Sequence, residues 1–172
     1  MKSIMKSILG LQMTAMFLTV ALAGPAAASN GGQSCIREKE ILFKGFVQAV
    51  ESYDVQFPTM FVDATGTGTA THLGRFTVTW EFTVNLLNGA GIGSAHFIAA
   101  NGDSVFTESL GQGNPTEEDP DVSFIVEKHT ITGETDRFAG ATGGFTLERL
   151  VNTVTGDTAG SFDGTIVIHN AQ

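Results

Sequence analysis

The sequence predicts an all-β fold: a closed, antiparallel, eight-stranded up-and-down barrel, with a two-sheet β-sandwich as the alternative. Three observations carry this. From Phe76 to Leu86 ("FTVTWEFTVNL") every even position is apolar and every odd one polar, which buries one face of a strand and wets the other. Turn residues such as Asn88-Gly89 and Asn101-Gly102-Asp103 recur every ten or so positions. No sustained helical period follows residue 29, and consecutive strands on short turns favour closure, because a closed sheet has no exposed edges.

Taken in order, the chain begins with Lys2 and Lys6, an apolar run from Ile8 to Leu22, and small residues from Ala23 to Ala28. That order is a signal peptide, residues 1–28, with cleavage expected after Ala28. The run is too short and too polar at Gln12 and Thr14 for a comfortable membrane span, so the expectation is export to the periplasm or the medium, with no membrane residence after cleavage. Residues 29–39 read as a flexible leader; its Cys35 has no partner for an internal disulfide. Residues 40–172 form one β-barrel domain, with strands expected near 40–50, 53–63, 66–87, 91–100, 103–111, 121–132, 137–152 and 157–169. Gly111 to Asp121 is the one long connection.

Loss of Lys2 and Lys6 leaves seven basic against 18 acidic residues and takes the net charge from −9 to −11, which repels phosphate backbones and excludes nucleic acid as a partner. The glycines of "NLLNGAGIGSAHFIAANGDSVF" could cradle a phosphate only with a helix directly behind them. Ser94 to Ala100 is too short for one, so Gly89, Gly91 and Gly93 are turn and strand glycines. The segment 133–145 lacks the lysine and spacing of a P-loop and reads as a corner. No Gly-x-Ser-x-Gly occurs, no histidine pair sits at i, i+4, and the acidic run 117–121 reads as a solvated loop. Glu127 and His129 share one strand face, either as an oriented imidazole or as a wet polar face. No metal, no cofactor and no catalytic residue is assigned.

The candidate ligand-binding residues lie on the most regular strand. Alternation turns Val78, Trp80 and Phe82 inward, and the amphipathic indole suits a cavity wall. If the strand runs on unbroken from Thr69, His72 falls in the same phase and joins them.

The stretches "ITGETDRFAGATGGFTLERL", "GTATHLGRFTVTWEFTV" and "GSFDGTIVI" resemble exported bacterial proteins related to the allene oxide cyclase and dirigent-like barrels, over roughly residues 66–168. Glu134 and Asp136 stand where that motif carries glycine. The resemblance implies a calycin-type eight-stranded barrel with a central cavity, and none of the family's catalytic residues finds a matching position here. The functional expectation is a secreted barrel that binds a small apolar molecule. The alternatives are a cyclase or isomerase that shapes a flexible apolar substrate, and a structural domain with a filled core.

Overall fold

The computed structural model describes residues 37–170; the expected signal peptide and Cys35 lie outside them. Eight antiparallel strands follow in order: β1 (Arg37–Gln56), β2 (Thr59–Ala70), β3 (Gly74–Asn85), β4 (Ala90–Ala99), β5 (Ser104–Pro115), β6 (Val122–Glu134), β7 (Thr142–Asn152) and β8 (Asp157–Asn170). Each pairs with the next, and β1 closes on β8 from Arg37↔Asn170 to Val50↔Asp157, which makes the sheet a barrel and removes the sandwich alternative.

The interior follows the alternation. Phe76, Val78, Trp80 and Phe82 are all buried, while the threonines between them face out. Bulky inward side chains sit opposite small ones on the neighbouring strand, as a narrow barrel requires. Trp80 lies between Ala64 and Ala95, and Phe76 pairs with Gly68, where a Cβ would collide with the phenylalanine ring. Gly89 and Gly102 adopt positive φ at their turns, as hairpin glycines should.

Several boundaries differ from expectation, among them β5, which runs on to Pro115 and shortens the expected 111–121 connection to residues 116–121. β1 begins at Arg37, since 37–39 already pair with β8. The polar run at 51–54 continues β1 as far as Gln56: Glu51 turns inward to buried partners, so its polarity marks a site instead of a turn. The expected strand 66–87 is two strands, β2 and β3, folded at Thr71-His72-Leu73. There His72 takes a left-handed φ of 67°, Thr71 Oγ1 donates to the Leu42 carbonyl at 2.9 Å, and Leu73 is buried beneath the turn. β7 starts at Thr142, after a short 3-10 turn (Asp136–Phe138) that drives Phe138 into the barrel end.

One end of the barrel is thus closed by Leu73, Phe138 and Ala141 above a cluster of Phe43, Phe76, Phe97, Phe145 and Phe162. Ring centroids in that cluster lie 4.9–6.3 Å apart, within the range of favourable aromatic pairs. The other end carries the hairpins β1–β2, β3–β4, β5–β6 and β7–β8.

Candidate binding cavity and its charged floor

At the hairpin end the interior is not filled. A cavity of about 340 Å³ lies between Met60 and Val62 of β2, Phe82 and Val84 of β3, Ile125 of β6 and Val151 of β7, with Glu51, Tyr53, Glu127 and Arg149 also facing it. Glycines leave the space open: Gly91, Gly111 and Gly113 contribute wall with no side chain.

The charged residues reach the interior by the same alternation that buries the core. Arg149 is in phase with Phe145, Leu147 and Val151, Glu127 with Ile125, and Glu51 and Tyr53 with Val47 and Ala49. Small neighbours again make room: Arg149 pairs with Gly160 and Glu127 with Gly111, and a Cβ at either glycine would press on its partner's side chain.

Arg149 is the hub. Its Nη1 lies 2.6 Å from Glu51 Oε1 and donates to Thr158 Oγ1 at 3.0 Å, while Nη2 and Nε donate to the two Glu127 oxygens at 2.8 and 3.2 Å. The forked pair to Glu127 is the strong bidentate geometry of a guanidinium on a carboxylate. Glu51 also accepts from Trp80 Nε1 at 3.2 Å and from the Tyr53 hydroxyl at 2.9 Å, and the Arg149 guanidinium lies 5.2 Å from the Trp80 ring centre. Glu51, Glu127 and Arg149 are each more than nine-tenths buried.

Burial by itself would raise the Glu127 carboxyl, but His129 and the Arg149 charge outweigh it and hold the group below the ordinary carboxylate range. Burial would likewise lower Arg149, and Glu127 and Glu51 more than offset it, so the guanidinium stays charged. Burial and the Glu51 carboxylate push the Tyr53 phenol above its usual value, which keeps it a neutral donor.

Beneath the floor lies His129. Its Nδ1 shares a hydrogen bond with Thr107 Oγ1 at 2.9 Å, its ring stacks on Phe145 at 4.6 Å, and its Nε2 stands 3.6 Å from Glu127 Oε2, beyond hydrogen-bond reach. That Nε2 and the nearby Ser109 Oγ are buried without a hydrogen-bond partner.

The four expected ligand-binding residues separate. Phe82 lines the cavity, Trp80 reaches its floor through the bond to Glu51, and Val78 is buried in the core without facing the cavity. His72 is a correction: it sits exposed in the β2–β3 turn at the opposite end, because the chain reverses there and breaks the phase that would have turned it inward. Glu127 and His129 do share a face, and that face is the buried one. Glu51, Tyr53 and Arg149 were not singled out from the sequence, although a charged residue in the apolar phase of a strand is a readable signal. No protein-family model matches the chain, and no curated protein or solved structure matches it.

Proposed function

We propose that this chain is an exported barrel that holds a small, largely apolar molecule in the cavity at its hairpin end. The observation that carries the reading is the unfilled space: one half of the interior is packed by phenylalanines, and the other leaves about 340 Å³ with apolar walls. Ligand sites have this character, a concave apolar surface with a few fixed polar groups. The space holds on the order of ten water-sized atoms, which suits a short chain or one or two rings. A filled core accounts for the phenylalanine half alone.

The order of basic, apolar and small residues before Ser29 supports export. The resemblance to allene oxide cyclase-like barrels supports a ligand cavity. On the outer face Lys44, Asp63, Glu81, Glu108, Lys128 and Glu148 are exposed, a pattern suited to water and costly in lipid.

A second reading, a cyclase or isomerase, is favoured by the floor. The Glu127 carboxylate and the Tyr53 oxygen stand as fixed acceptors against one apolar space, where walls can fold a flexible substrate and the floor can stabilise positive charge that develops as it rearranges. Recovery of a bound substrate in rearranged form separates it from simple binding.

The test uses Gly113, whose added Cβ would make only an ordinary 3.6 Å contact with Ile125. Gly113→Leu therefore starts from a position with room for its Cβ and carries the rest of the side chain into the cavity. The expected result is that 1-octanol binds the unmodified protein, by calorimetry, at least about tenfold more tightly than it binds the variant, while the variant's thermal midpoint is unchanged or higher. Equal binding to both proteins would sink the reading.

A further inference from the structure

We infer that the cavity selects against carboxylate ligands and takes a molecule with a hydrogen-bond-donating, cationic amine head on its apolar body. The inference rests on the cavity-binding reading and goes further by naming the head group.

The floor supplies the first argument. One guanidinium faces two carboxylates, so acidic side chains outnumber the basic one that they surround. Four of the five Arg149 N–H groups are committed to Glu51, Glu127 and Thr158, and the Tyr53 hydroxyl hydrogen is committed to Glu51. Carboxylate lone pairs and the Tyr53 oxygen remain as acceptors. An occupant that donates is therefore satisfied there. An occupant bearing a carboxylate would face like charge in a low-dielectric space and leave its own acceptors unpaired.

The mouth supplies the second, independent argument. The hairpins at this end and the strand ends that feed them, residues 53–61, 83–92, 111–126 and 150–160, contain exposed Asp54, Glu117, Glu118, Asp119, Asp121 and Asp157 and no lysine or arginine. A rim of one sign concentrates ligands of the opposite sign and repels its own. Rim and floor act in the same direction.

The experiment titrates the whole chain from Ser29 to Gln172 with octylamine, 1-octanol and octanoate, one chain with three heads, below their micellar concentrations at pH 7. Calorimetry gives affinity, and Trp80 emission reports on the floor. The expected order is octylamine, octanol, octanoate, with at least about a tenfold gap between first and last that shrinks several-fold between about 20 mM and 500 mM salt. Glu127→Gln narrows the gap, and Gly113→Leu abolishes binding of all three. Octanoate binding as tightly as octylamine overturns the head-group inference and leaves the cavity reading standing. An amine preference that survives Gly113→Leu places binding outside the cavity and also overturns the inference. Failure of every head group to bind overturns the cavity reading together with it.

Discussion

The two halves of this barrel interior are built by one rule and arrive at opposite chemistry. At the closed end, inward positions carry Phe43, Phe76, Phe97, Phe145 and Phe162, with Phe138 pressed in from the turn, and the space between strands is full. At the hairpin end the same inward phase delivers Glu51, Glu127 and Arg149, and glycines on β4 and β5 leave a cavity beside them. A packed aromatic cluster stabilises by area and contact alone. A buried charge triad is close to neutral when complete and costly when broken. The lesson is that the closed end holds the fold together, while the hairpin end gives up packing for a site.

The largest expected effect comes from breaking the triad. Arg149→Met keeps volume but leaves two buried carboxylates unpaired, and should cost about 3–5 kcal/mol at pH 7 in urea unfolding. The pH dependence has a definite sign. In the unmodified protein Glu127 is held below its ordinary value of 4.5, so its stabilising contribution is complete above that pH and is lost as pH falls through the lower folded value. In the variant the unpaired carboxylates favour protonation, so acid relieves them, and the gap between the two proteins narrows on acidification. A loss under about 1 kcal/mol at pH 7 would mean that water from the cavity solvates the floor, and the contrast between the halves would collapse.

A matched pair of truncations sharpens the comparison. Phe97 is fully buried and meets the rings of Phe76, Phe145 and Phe162, so Phe97→Ala should cost about 3–5 kcal/mol. Phe82 is also buried, but one side of it faces the cavity and has no partner atoms to lose. Phe82→Ala should therefore cost less by about 1 kcal/mol or more, with a clear loss of octanol affinity that Phe97→Ala does not share. Equal costs would indicate that the cavity closes in solution.

Alternation makes the interior of β3 legible: it places Phe76, Val78, Trp80 and Phe82 inside from period alone, and neighbouring residues mark the turn glycines Gly89 and Gly102. Legibility failed where polarity and position disagreed. Glu51 falls in the expected gap between strands 40–50 and 53–63 because charged residues usually face water, yet its partners Arg149 and Trp80 lie 98 and 29 positions away, where no local signal reaches. His72 failed in the other direction, since a histidine at φ 67° lacks the usual glycine or asparagine mark of a reversal. The phase of Arg149 with Phe145, Leu147 and Val151 was visible, and following it would have found the floor.

Trp80 stands at the junction of the two halves, and its replacement is the smallest expected effect. The indole is 4 % exposed, flanked by Ala64 and Ala95, with its N–H on Glu51 and its face toward Arg149. As the sole tryptophan it should give the folded protein blue-shifted emission. Emission typical of water-exposed indole would mean that the inward phase of β3 is wrong. Trp80→Phe keeps the apolar body, loses one hydrogen bond to a carboxylate that retains the Arg149 and Tyr53 donors, and opens a small gap between two alanines. The cost should be about 1–2 kcal/mol in urea unfolding, well below that of Arg149→Met. Because Glu51 then holds one donor fewer, octylamine should bind the variant as tightly as before or more tightly, whereas a ligand that leaned on the indole itself would be lost. A large fall in octylamine affinity would move Trp80 from the support of the floor into the contact surface.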